Sequence, residues 1–157
     1  YSYKHTGRAP SKEKPSEKYR TGYIDETYEP LYPFGYGLSY TQFEYGELSL
    51  DKEVINNTEF LTASITVTNK GTVDGKEIVQ LYLREVVGSV TRPLKELKGY
   101  EKIYLKAGES KTVRFRITPE MLKFYNYNIE YVYEPGEFDV MVGCNSRDVQ
   151  TKRFTLR

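Results

Sequence analysis

Tryptophan is absent from this 157-residue chain, and cysteine and histidine occur once each. A lone Cys144 closes no internal disulfide, so the fold has to stand on its apolar core. One His and one Cys cannot build a His/Cys metal cage, and neither a metal nor a cofactor is expected. A Ser-His-Asp or Cys-His arrangement would have to use His5, which sits in a polar stretch, and no G-x-S-x-G elbow accompanies it. No apolar run approaches the roughly 18 residues of a membrane span, so no membrane partner is expected. Nor is charge of one sign in excess. Lys plus Arg is 23 against 22 for Asp plus Glu, and a net charge of +1 offers no basic field for nucleic acid. The chain opens on Tyr1-Ser2-Tyr3 rather than Met, as expected of a piece of a longer polypeptide.

Tyrosine, by contrast, is abundant at 16 copies. Five of them fall in residues 1–29, where the only aliphatic side chains are Ala9 and Ile24 among six Lys/Arg, five Asp/Glu and two prolines. That composition cannot offset about 1–2 kcal/mol per residue of backbone ordering. It shows neither a period of 2 nor one of 3.6, so an irregular segment that leans on a neighbouring surface is expected.

From Phe43 onward the pattern changes to strands. In Phe60 to Asn69, Leu61, Ala63, Ile65 and Val67 alternate with Thr62, Ser64, Thr66 and Thr68, the mark of a half-buried strand. Glu77 to Arg84 sends Val79, Leu81 and Leu83 one way and Gln80, Tyr82 and Arg84 the other. Tyr100 to Leu105, Ser110 to Thr118, Glu137 to Cys144 and Val149 to Leu156 repeat the theme, with turn residues such as Asp74-Gly75 and Pro135-Gly136 between strands. Counting Phe43 to Leu50, seven strands are predicted in residues 43–157, and Pro119 to Leu122 allows at most one helical turn. Antiparallel strands with one apolar face pack as two layers, which predicts an all-β immunoglobulin or fibronectin III-like sandwich.

Residues 30–42 lie just before that sandwich and read PLYPFGYGLSYTQ. Gly35 and Gly37 let the chain turn and approach a neighbour, while Tyr32, Phe34, Tyr36 and Tyr40 supply large apolar area with polar tips. An interdomain seam is expected, with those four rings as its packing residues.

Catalytic chemistry finds little purchase. Asp25, Glu26 and Glu29 in the first segment, and Glu130, Glu134 and Glu137 around Pro135, read as solvated loop charges rather than a glycosidase pair. Cys144 keeps step with Phe138, Val140 and Val142, which predicts a buried, inert thiol. Arg84, Arg114 and Arg116 alternate on outward faces among acids and read as a solvated face. Tyr82, Tyr100 and Tyr104 also point away from the predicted core. They admit two readings, a sugar-stacking platform or contacts to a neighbouring domain, and the lack of Trp favours the second.

Four stretches carry a family resemblance: PLYPFGYGLSYTQFEY, NKGTVDGKEIVQLYLRE, SVTRPLKELKGYEKIYLKAGESKTVRF and EPGEFDVMVG. In that order and spacing they resemble the C-terminal region of glycoside hydrolase family 3 enzymes, typified by periplasmic or secreted bacterial β-glucosidases. The resemblance covers Pro30 to Leu156. It implies a fibronectin III-like module, and residues 1–29 resemble the last loop of the preceding α/β sandwich domain. Family members are retaining hydrolases whose aspartate nucleophile and glutamate acid/base lie upstream of this region. No position here matches either motif, so no catalytic residue is carried over. The partners implied are the catalytic domains of the same parent chain, with weak oligosaccharide binding as the alternative. β-Glucosidases, β-xylosidases and arabinosidases share this tail.

Overall fold

In the computed structural model the described residues are 29–157, together with the strand Ser2–Lys4. Two sheets face one another. The larger has the order β1-β7-β6-β11-β12-β4, where β1 is Ser2–Lys4, β4 Val54–Ile55, β6 Gly75–Glu85, β7 Pro93–Leu105, β11 Gly136–Gly143 and β12 Val149–Leu156. The smaller places β2 (Phe43–Tyr45) and β3 (Ser49–Leu50) against one edge of β5 (Leu61–Asn69), with β8 (Ser110–Ile117) on the other. A separate two-stranded ribbon joins β9 (Phe124–Tyr125) to β10 (Tyr131–Val132). The all-β sandwich predicted from period-2 alternation is therefore the observed fold.

Alternation also fixes the core. Leu61, Ala63, Ile65 and Val67 of β5, with Val113, Phe115 and Ile117 of β8, face Val79, Leu81 and Leu83 of β6 and Phe138, Val140 and Val142 of β11. Phe138 and Phe154 stack at 5.5 Å between ring centroids, and both are fully buried. Fully burying one such side chain is worth about 1.5–3 kcal/mol.

Three departures from the sequence expectation have local causes. The first strand is broken between Tyr45 and Ser49 because Gln150 reaches across: its Nε2 donates to Gly46 O at 2.7 Å and its Oε1 accepts from Leu48 N at 2.9 Å. Leu48 is thereby drawn into the core. β7 starts at Pro93 rather than Tyr100, since Leu81 pairs with Gly99 but Tyr82 with Leu97, leaving a bulge at Lys98 that hides the alternation. Ser2–Lys4, expected to be irregular, pairs with Pro93–Glu96 as an added edge strand. The other expectations for residues 1–28, His5, Asp25 and Glu26 among them, fall outside the described residues.

Candidate functional site

The face of β6 turned away from the core carries Gln80 and Tyr82, and this is where the aromatic segment lands. Gln80 Nε2 donates to Gly35 O at 3.1 Å and to Cys144 O at 2.6 Å, while its Oε1 accepts the Tyr82 hydroxyl at 2.5 Å. One amide thus bonds three groups from three separate parts of the chain. Ser146 N donates to Phe34 O at 2.9 Å, and Arg147 Nη2 to Pro30 O at 2.5 Å. Lys95 Nζ holds the Ser146 carbonyl from the other side. Within the segment, Tyr36 N closes a turn on Pro33 O at 3.0 Å, and Gly35 has φ 78°. A Cβ at Gly35 would lie 2.0 Å from Gln80 Oε1, so glycine is required there for close approach as well as for its φ.

The far end of the segment is fastened too. Thr41 Oγ1 donates to Asn69 Oδ1 at 2.5 Å, and Lys70 N donates to Gln42 O at 2.8 Å. Asn69 is fully buried, and its amide also bonds Val73 O and Leu105 O. The backbone of residues 30–42 is therefore tied at both ends, and its rings are not covered. Tyr32 is 66% exposed and Tyr40 102%, with Phe34 and Tyr36 both exposed and Leu31 and Leu38 still more so. Tyr32 and Tyr36 meet at 5.1 Å between ring centroids, tilted by 40°. A fixed backbone presenting bare apolar area is the arrangement of a preformed docking surface.

The other sequence-derived candidates separate. Tyr82 is corrected: it is fully buried, with its register neighbour Met141 buried beside it. Alternation had put Tyr82 on the outer face correctly, but could not reveal that this face is covered. Tyr104 is exposed, and its hydroxyl donates to Asp74 Oδ2 at 2.5 Å. Tyr100 is exposed four residues earlier on the same strand, about 13 Å from Tyr104, and with Tyr82 buried the three do not form one platform. Cys144 is half-buried rather than buried, because it lies one residue past the end of β11; burial is the main reason its thiol is pushed up from the usual value.

The carboxylates are committed to structure. Glu130 accepts from Asn126 Nδ2 at 2.9 Å, Glu134 from the Ser89 hydroxyl at 2.5 Å, and Glu137 from Arg153 at 3.1 Å. Glu85 is buried and paired with Arg92 at 2.7 Å, and Glu96 sits 3.4 Å from the same guanidinium. The small cavity there is about 10 Å³, room for about one water and not for a sugar ring. Burial pushes the Glu85 carboxyl up, against the pull of Arg92. Among the described residues no group of three or more His, Cys, Asp or Glu is placed to hold a metal ion.

Comparison with known proteins gives these features a context. Residues 77–146 match the family described as fibronectin type III-like domain. The chain is 47% identical over 156 residues to a periplasmic β-glucosidase of Salmonella typhimurium, covering 99% of this chain and 20% of that protein. It is 49% identical over 139 residues to a putative β-xylosidase of Formosa agariphila, covering 88% of this chain and 18% of that protein. A crystal structure of a β-glucosidase from Listeria innocua in complex with isofagomine superposes with a TM-score of 0.89 at 44% identity, over 99% of this chain and 22% of that one. The chain thus spans about a fifth of the length of the relatives it matches.

Proposed function

We propose, on the premise that this chain carries a fibronectin type III-like domain of the kind found in β-glucosidases and β-xylosidases, that it is the non-catalytic module of a glycoside hydrolase family 3 enzyme and stabilises that enzyme's catalytic domains by packing against them. The parent on this reading is a retaining hydrolase of terminal β-linked sugars, working in the periplasm or outside the cell. Residues 1–29 are on this reading the end of the preceding domain, with Ser2–Lys4 joining the module's sheet at its edge; residues 30–42 form the seam, and residues 43–157 make up the module.

One observation carries the reading: Tyr32, Phe34, Tyr36 and Tyr40 are exposed on a backbone that Gln80, Ser146 and Asn69 hold still. Holding the backbone before contact lowers the ordering cost of association. Each ring contributes about 1–3 kcal/mol if the contact covers it fully. A carbohydrate platform built on Tyr82, Tyr100 and Tyr104 has less support, since Tyr82 is buried and the Tyr104 hydroxyl is engaged.

The test is a fourfold alanine substitution of Tyr32, Phe34, Tyr36 and Tyr40, made in the complete enzyme and in this chain alone. The expected result is a lower melting temperature of the complete enzyme with little change in the isolated chain. Equal melting temperatures for the substituted and natural complete enzymes would refute the packing role.

A further inference from the structure

A second exposed aromatic cluster sits at the other end of the larger sheet. The seam reaches β6 at Gln80, which pairs with Gly143, whereas the β9–β10 ribbon is rooted near Glu85, which pairs with Phe138. Those positions are five residues apart, about 17 Å along the strand. Arg92, fixed by Glu85, stacks its guanidinium on Phe124 at 4.5 Å and so anchors the ribbon's base. Above it Tyr125 and Tyr131 form a cross-strand pair at 5.0 Å, tilted by 42°. Tyr127 at the tip is 92% exposed and Ile129 beside it 80%.

The loop joining them is braced from within. Asn126 Oδ1 accepts from Asn128 N and Glu130 N, both at 2.9 Å, and its Nδ2 donates to Glu130 Oε2. Ile129 N closes the turn on Asn126 O at 3.0 Å, which leaves Ile129 at φ 65°, the one left-handed non-glycine among the described residues. A β-branched side chain is disfavoured there, where glycine is usual. Nothing within the described chain compensates by burying that side chain.

We propose that this tip is a weak binding site for a neutral oligosaccharide, with Tyr127 and Tyr125 stacking on the apolar face of a pyranose and Asn128 hydrogen-bonding its hydroxyls. Two properties favour a sugar over a protein occupant. Two strands of two residues and one loop give much less than the roughly 800 Å² per partner of a standard protein interface, while one pyranose covers about one aromatic ring. The tip also interleaves its apolar groups with polar ones: the Tyr125 and Tyr127 side chains are exposed, and among the described residues their hydroxyls and the Asn128 side-chain amide make no hydrogen bond. A polyhydroxylated ligand offers hydrogen-bond partners to each of those groups while its apolar face covers a ring. Lys123, 5.6 Å from the Tyr131 ring, occupies one side of the pair, so Tyr131 positions Tyr125 rather than stacking on ligand. The inference is independent of the seam.

The test titrates this chain with cellohexaose, xylohexaose and maltohexaose to about 10 mM, the range where weak affinities of about millimolar Kd are read, following backbone and tyrosine ring resonances. Saturable shifts confined to residues 125–131, reduced at least about tenfold in affinity by Tyr127→Ala and unchanged by Tyr100→Ala, are expected. Tyr127 is so exposed that its truncation leaves the fold intact, which the undisturbed spectrum checks. Silence with all three sugars, shifts centred on Tyr100, or concentration-dependent shifts of the tip without ligand would each overturn the proposal.

Discussion

Phe138–Phe154 and Tyr32–Tyr36 are nearly the same object, two aromatic rings within 5.5 and 5.1 Å of each other, and they do opposite things. The phenylalanines are sealed between the sheets. The tyrosines stand in solvent on a segment whose backbone is secured by Gln80 and Ser146. Aromatic content alone therefore says little about a region's role. What separates folding from association is where the hydrogen bonds go: strand pairing beneath the first pair, and a side-chain latch beneath the second.

The sharpest way to break that contrast is to truncate a ring of the buried pair in one variant and the latch beneath the exposed pair in another. Phe138→Ala leaves a cavity among Leu83, Phe154 and their neighbours and is expected to cost about 3–5 kcal/mol in urea unfolding of this chain. Gln80→Ala attacks the latch instead. It removes the hydrogen bonds to the Tyr82 hydroxyl and to the Gly35 and Cys144 carbonyls, for an expected loss of about 1–3 kcal/mol, and hydrogen exchange should show the Ser146 amide opening more readily.

A smaller effect is expected from pH. Burial holds the half-buried Glu77 carboxyl above the usual 4.5 in the folded chain. The folded state then binds more protons than the unfolded one just above that value, so this group's contribution falls as pH rises through the window. Unfolding measured from pH 4 upward should lose less stability in Glu77→Gln than in the natural chain. An equal slope in both would place the pH dependence elsewhere. The smallest effect belongs to Tyr40→Ala, which is expected to change the isolated chain's stability by less than about 0.5 kcal/mol because the ring touches little.

The strands at residues 61–69 and 110–117 were legible because one face is apolar and the other polar, and those at 136–143 and 149–156 because Phe138, Val140, Val142, Phe154 and Leu156 keep period 2 on the core side. The first half of β7 was not legible, since PLKELKG is half-buried throughout and has no alternating contrast to read. Tyr82 was misjudged for a related reason: alternation tells which residues share a face, and only tertiary structure tells whether a remote segment covers it. The aromatic residues of 30–42 stood out from the Gly and Tyr spacing, but the latch that fixes their backbone joins Gly35 to Gln80, 45 residues apart. Gln80 looks like an ordinary outward polar residue in sequence. The β9–β10 tip was passed over because two-residue strands are too short to display any period.

Radical footprinting of aromatic side chains in this chain and in the complete enzyme would test the central claim most directly. The seam account predicts that Tyr32, Phe34, Tyr36 and Tyr40 react readily in the isolated chain and become protected in the complete enzyme, while buried Tyr82 is protected in both. Equal reactivity of the four seam rings in the two samples would contradict it.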